Sequence, residues 1–214
     1  MRCEKKNTSN CYNSFSFKGT EIFYRIAEPG DEASTVSGQV LFLLHGAAFT
    51  SKTWQFEIGT IQTMASLGHR VIAVDLPGYG QSGRFSGDRG EFLELLIKAL
   101  TPKTRPVLVS PSMSGSFSLP LLDRNQNLLC GFIPVAPVAT TSYQDSFFQA
   151  ITVPTMIVYG DKDTGLGVSS AKKLTEIPTS TTPQILVDSR HPCYLDQPEV
   201  WHTLIYNFML HLAC

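Results

Sequence analysis

Nowhere in the 214 residues is there a run of about 18 consecutive apolar side chains, the length an α-helix needs to cross a bilayer. The opening stretch, Met1 to Ser14, is polar and lacks the apolar segment of a signal peptide. A soluble protein with no membrane partner is expected. Cysteine is sparse and odd in number: Cys3, Cys11, Cys130, Cys193 and Cys214 are scattered, with no C-x-x-C pair. Reduced thiols are therefore expected, as in a protein of the cytoplasm or nucleus. Charge is balanced, with a formal net charge of -1 and no basic stripe, so nothing in the electrostatics favours nucleic acid or an anionic membrane as partner. No metal-ligand spacing joins His45, His69, His202 and His211, and no internal repeat is visible. A monomer with no resident metal or cofactor, acting on a small or neutral substrate, fits these absences.

What is present is an alternation of apolar runs with helix-compatible segments. Residues 1–13 read as a disordered arm, because Lys5, Lys6, Asn7, Ser9 and Asn10 offer almost nothing to bury. Residues 14–214 read as one domain, of a size that supports a substantial core. Phe15-Ser16-Phe17 and Ile22 to Ile26 flank Lys18-Gly19-Thr20 as a hairpin would, and Glu28 to Gly38 reads as a polar loop. Val40 to Leu44, Val71 to Val74, Pro106 to Val109, Phe132 to Ala136 and Thr155 to Tyr159 are continuous apolar runs of the kind buried on both faces in a parallel sheet. Gln184 to Val187 supplies a last strand. Between them, helices are predicted over Thr53 to Leu67, Glu91 to Leu100, the segment after Ser112 that continues through Phe117, Leu121 and Leu122 and is shortened or kinked by Pro120, and Val168 to Ile177. A closing helix has Asp196 as its cap and Glu199 in its first turn. Strands alternating with helices make this an α/β chain, with a mostly parallel sheet covered by helices on both faces. The interval between the runs near Val135 and Ile157 is too short for a lid domain.

Functional side chains of such a sheet gather beyond the carboxyl ends of its strands. Ser112 stands there, at the apex of Ser110-Pro111-Ser112-Met113-Ser114, a sharp strand-to-helix turn flanked by small residues. The usual pattern of that turn is G-x-S-x-G, and here serine replaces both glycines. Ser114 offers a second serine with small flanks, but the apolar run ends at Val109, which places the apex at Ser112. A serine hydroxyl attacks only when a base takes its proton and a carboxylate orients that base. His191 follows the last strand and Asp163 an earlier one. Asp161, nearer the strand, suits the turn itself. Backbone donors for a developing oxyanion would be the N–H groups of Met113 and of Ala47, the latter just after His45-Gly46. His45 reads as a support for that loop, Asp75 and Ser82 as loop stabilisers, and His69, His202 and His211 as surface or helix-face residues. Trp54 either borders the pocket or packs in the core. Cys193 has nothing nearby in sequence to activate it.

With Leu44-His45-Gly46, then Asp75-Leu76-Pro77-Gly78-Tyr79-Gly80-Gln81-Ser82, then the serine, acid and histidine in that order, the chain resembles the α/β-hydrolase superfamily from residue 14 to its last residue. Within it, Thr53-Trp54-Gln55, Ser110 to Gly115, Leu119-Pro120, Gly131 to Pro137 and His191 to Asp196 are similar to the lidless abhydrolase domain-containing protein 14 group, and specifically to its soluble B form. That group shares the serine-flanked elbow. The resemblance implies ester hydrolysis on small acyl esters and deacetylation of protein lysine, with coenzyme A as an acyl acceptor. It also implies association with a transcription factor subunit. A competing expectation is a non-catalytic binding module that keeps the fold and acts through that protein partner.

Overall fold

The structure is a computed structural model and describes residues 10–29 and 38–214. Its first element is a hairpin of β1 (Asn10–Phe17) and β2 (Thr20–Ala27). Lys18 and Gly19 join them with φ of 47° and 81°, the pair of left-handed residues that matches a two-residue turn to strand twist. Of the arm expected over residues 1–13, Asn10 to Asn13 belong instead to the ladder, paired with Ala27 to Tyr24. Residues 1–9, and residues 30–37 of the expected polar loop, lie outside the described residues.

Next come β3 (Val40–Leu43), a π-helical turn over Thr53–Glu57, α1 (Thr60–Ser66) and β4 (Arg70–Val74). The single helix predicted over Thr53 to Leu67 is two pieces because Gly59 adopts φ 68° between them. The following elements are α2 (Arg89–Leu100), β5 (Val107–Pro111), α3 (Gly115–Asn125) and β6 (Gly131–Val135). Asp88 caps α2 by accepting the Glu91 N–H at 2.6 Å, which satisfies one of the orphan donors of the first turn. Pro120 does not end α3, which runs through it. Then come α4 (Asp145–Gln149), β7 (Val158–Gly160), α5 (Leu166–Leu174), β8 (Gln184–Leu186), α6 (Cys193–Asp196) and α7 (Pro198–Leu210). The ladder of β7 starts three residues later than the apolar run, since Thr155 forms only isolated bridges to Phe132 and Ser180. Between β6 and β7 lie a 3-10 turn at Thr140–Ser142 and the short α4, whose Phe148 is buried in the core.

Among the described residues, eight strands form one sheet in the order β1-β2-β4-β3-β5-β6-β7-β8. Within it the β1–β2 and β2–β4 pairings are antiparallel and the others parallel. Side chains alternate across it, as a period of two requires. Phe42, Ile72, Leu108 and Phe132 face one layer, packed by Phe92 and Leu96 of α2, Phe117 and Leu121 of α3, and Leu174 of α5. Leu41, Leu43, Val71, Val109 and Ile133 face the other, packed by Trp54, Met64 of α1 and Trp201, Ile205 and Met209 of α7. Each fully buried aliphatic or aromatic side chain contributes about 1.5–3 kcal/mol, and the central strands consist of little else. The sheet is thereby a rigid base for the loops at its carboxyl edge.

Three further expectations give way to the structure. Cys130 and Cys214 are joined in a disulfide, with Cα atoms 5.4 Å apart, so the reading of all thiols as reduced fails at this pair. The spacing of 84 residues carries no sequence signal for it. His69 is buried, and neither ring nitrogen has a partner among the described residues; burial pushes its pKa down and keeps it neutral. Asp196 does not cap α7, whose N-cap is Gln197 with no side-chain bond. Its carboxylate is taken instead by Arg190, through the backbone N–H at 2.8 Å and the guanidinium at 3.1 and 2.6 Å.

Candidate active site

The three residues that the sequence scattered over 79 positions meet above the carboxyl ends of β5, β7 and β8. His191 Nε2 stands 2.8 Å from Ser112 Oγ, and Nδ1 stands 2.5 Å from Asp163 Oδ2. A carboxylate only accepts, so Nδ1 carries the ring proton and Nε2 is left to accept the serine proton. The Asp163 side chain is 9% exposed and that of His191 39%: the acid is sheltered and the base reaches towards solvent.

Ser112 has φ 48°, a left-handed backbone uncommon for any residue but glycine and costing on the order of 1–3 kcal/mol. The strain turns the chain from β5 into the 3-10 turn Ser112–Ser114 and on into α3, which lifts the hydroxyl clear of the backbone. Below the apex the two serines that replace glycine are fully buried. Ser110 Oγ lies 3.1 Å from Ser114 Oγ and 2.6 Å from Ser118 Oγ, and Ser114 Oγ donates to the Pro111 carbonyl at 2.7 Å. The chain of hydroxyls satisfies groups that burial would otherwise penalise. It also engages Ser114 completely, which removes the rival apex. Close approach does require glycine at Gly115, where a Cβ would fall 2.5 Å from the Val138 carbonyl.

The histidine loop is fixed by two carboxylates. Asp161 accepts the N–H groups of Asp188 and Ser189 at 2.9 and 3.0 Å, and these bonds hold its pKa below the ordinary range. Asp161 is therefore the turn organiser that its position after β7 suggested. Asp196 pins Arg190, next to the histidine. Gly160 makes the approach possible, because a Cβ there would lie 2.3 Å from the Ser189 carbonyl.

Opposite Ser112 runs the loop after β3. His45 Nδ1 lies 2.9 Å from the Gly46 carbonyl, and Nε2 accepts the Leu76 N–H at 2.9 Å. Phe49 N–H donates to the same Gly46 carbonyl at 3.0 Å. Since C=O and N–H point to opposite sides of a trans peptide, fixing this carbonyl on one side aims the Ala47 N–H to the other. Ala47 lines a cavity of about 180 Å³ together with Ser112, His191, Phe49, Val135 and Tyr194. Asp75 accepts from Ser51 N–H at 2.7 Å and Gln81 N–H at 2.9 Å, and Ser82 Oγ donates to the Asp75 carbonyl at 2.6 Å. Trp54 is buried core, donating from Nε1 to the Leu44 carbonyl at 2.9 Å. Cys193 is buried, and burial pushes its thiol pKa up to about 12, which keeps it protonated and inert.

The cavity walls Phe49, Val135 and Tyr194 had no signal in the sequence, because each reads equally well as core. Burial raises the pKa of the Tyr194 hydroxyl, so it is neutral at the cavity wall.

The alpha/beta hydrolase family model matches residues 41–150, a span that holds the β3 loop and Ser112 but stops short of Asp163 and His191. The chain is 41% identical over 195 residues to the zebrafish (Danio rerio) protein ABHD14A, covering 88% of this chain and 71% of that one. It is 39% identical over 202 residues to human (Homo sapiens) ABHD14B, a protein named provisionally as a protein-lysine deacylase, covering 90% of this chain and 91% of that one. The two forms are thus matched about equally, and identity does not separate them. Among solved structures, a protein described as a predicted CIB-like hydrolase of Thermoplasma acidophilum superposes with a TM-score of 0.81 at 25% identity, covering 94% of this chain and 97% of that one.

Proposed function

The chain belongs to the alpha/beta hydrolase family, and on that premise we propose that it is a serine acyl hydrolase working through an acyl-enzyme on Ser112. The observation that carries this reading is the continuous relay of Asp163 Oδ2, His191 and Ser112 Oγ, at 2.5 and 2.8 Å, with the serine lifted on a strained φ of 48°.

In this mechanism Ser112 Oγ attacks the acyl carbonyl carbon while His191 Nε2 takes its proton. Asp163 keeps the ring in the required tautomer and stabilises the imidazolium. The carbonyl electron pair moves onto oxygen, and the N–H groups of Ala47 and Met113 receive the oxyanion, each worth about 3 kcal/mol in the transition state. Collapse expels the alcohol or amine, which leaves with the proton from His191. Water or a thiol then attacks the acyl-serine, again giving its proton to His191, and collapse returns that proton to Ser112.

The cavity of about 180 Å³ is below the range of about 300–1,000 Å³ usual for drug-sized ligands. Short acyl groups on esters or on lysine are the substrates it suits. The deacylase name of the human relative supports the lysine branch. Coenzyme A is the thiol proposed as acyl acceptor beside water. Turnover of an acetyl-lysine peptide with and without coenzyme A, beside a p-nitrophenyl ester control, tests the reading. Release that requires the thiol identifies acyl transfer, and release without it identifies hydrolysis. No turnover of either substrate class would remove the proposal.

A further inference from the structure

Arg25 is a charged side chain in the interior, 9% exposed, on the antiparallel strand β2 opposite Ala73. Burial pushes its pKa down, partly offset by Asp75. A buried cation is costly to keep, and nothing in the reaction above consumes it. Its donors go to neutral oxygens of one segment: Nε donates to Ser51 Oγ at 3.1 Å and Nη1 donates to Gln55 Oε1. Its guanidinium lies 5.2 Å from the ring centroids of both Phe23 and Phe56, which fixes its plane.

Ser51 is where this matters. Its N–H is held by Asp75 at 2.7 Å while its Oγ is held by Arg25, so the residue is clamped between β2 and the loop after β4. It directly follows the segment that runs from Gly46 through Ala47 to Thr50. That segment is clamped at its start by His45 and Phe49 on the Gly46 carbonyl. Ala47 itself is exposed, and a methyl side chain gives it little to anchor by. Its N–H direction therefore depends on the two ends of the segment.

We infer that Arg25 is a positioning residue of the active site, holding through Ser51 and Gln55 the far end of the loop that aims the Ala47 N–H at the oxyanion. The inference rests on the acyl-hydrolase reading of Ser112. A planar fork is needed to reach Ser51 and Gln55 together, so the substitution Arg25→Lys would keep the charge and lose one of the two contacts.

The test compares Arg25→Met, Arg25→Lys and Ser51→Ala on a short p-nitrophenyl ester. Each variant is also titrated with a trifluoromethyl ketone, whose hemiketal on the serine carries an oxyanion. Wild-type turnover that vanishes in Ser112→Ala checks the underlying reading separately. Arg25→Met is expected to lower kcat about tenfold to hundredfold, below the full loss of an oxyanion donor, with KM within twofold and ketone affinity falling in parallel with kcat. Arg25→Lys recovers part of it. Ser51→Ala lowers kcat severalfold, and its combination with Arg25→Met adds nothing further. If Arg25→Met fails to fold, Ser51→Ala and Arg25→Lys carry the test alone, since each removes one link. Unchanged kcat and ketone affinity in the folded variants would overturn the inference, as would a loss confined to KM or to thermal stability.

Discussion

The two ends of the parallel sheet carry cavities of opposite character. At the amino end about 800 Å³ of open space lies among Val40, the Thr101–Arg105 segment and Leu212 to Cys214, lined also by Lys98, Lys103 and Arg105. No histidine and no side-chain carboxylate is among its walls within the described residues. At the carboxyl end the cavity is about 180 Å³, yet it holds the serine and histidine of a complete relay. Ser112, Ala136, Ala139 and Asp188, with φ of 48°, 43°, 68° and 59°, each sit in a loop following a parallel strand. Available volume therefore does not mark the proposed site in this fold. That site coincides instead with strained backbone held by committed polar groups, and such strain persists only where surrounding structure enforces it.

The largest effect expected from breaking this contrast is at the base. His191→Ala should lower kcat/KM by about 10⁴-fold, measured on a p-nitrophenyl ester, while Lys103→Gln and Arg105→Gln stay within twofold of wild type. Equal losses at both ends would erase the distinction. Next comes the amino end's own fastening. Cys214→Ser, or reduction of the Cys130–Cys214 bond, should lower unfolding free energy by about 2–4 kcal/mol in a denaturant titration, with kcat of the folded protein unchanged.

A smaller effect is expected beneath the elbow. Ser110→Ala strands the Ser118 hydroxyl in the core, at a cost of about 1–2 kcal/mol. The denaturation midpoint should shift accordingly; no shift would mean that the hydroxyl chain does not hold the turn. The smallest lies on the helical layer, at Glu94. Lys98, Asn125 and Arg124 hold the Glu94 carboxyl at about 2, below its ordinary 4.5. A depressed folded pKa stabilises above the unfolded value and is lost as pH falls through the folded one. Glu94→Gln should thus cost a few tenths of a kcal/mol near neutral pH, a difference that fades between pH 4.5 and about 2. A constant difference down to pH 2 would assign the loss to packing.

The same contrast explains what could be read from the chain alone. Strand runs such as Val40 to Leu43 and Val107 to Val109 are legible because burial on both faces writes an unbroken apolar signal. Ser112 is legible because it follows such a run, and Asp163 and His191 because they come after later strands in a fixed order. Side chains that serve by reaching across the fold are not. Arg25 in an alternating strand reads as an ordinary exposed residue, and nothing local tells that Ser51 and Gln55 receive it. Asp196 has capping spacing with Glu199, yet the nearby guanidinium of Arg190 offers its carboxylate a stronger, charge-assisted partner. The disulfide joins residues 84 apart with no motif at either. His69 follows a helix-ending glycine in a place that usually faces water, yet it is buried with its ring edge-on to Tyr206.

The most direct measurement is the intact mass of the chain after incubation with a fluorophosphonate, followed by peptide mapping. One adduct on the peptide containing Ser112 is expected in the wild type, with none in Ser112→Ala and slow, incomplete labelling in His191→Ala. Equal labelling of wild type and Ser112→Ala, or an adduct mapped to another residue, would contradict a nucleophile at the strained turn.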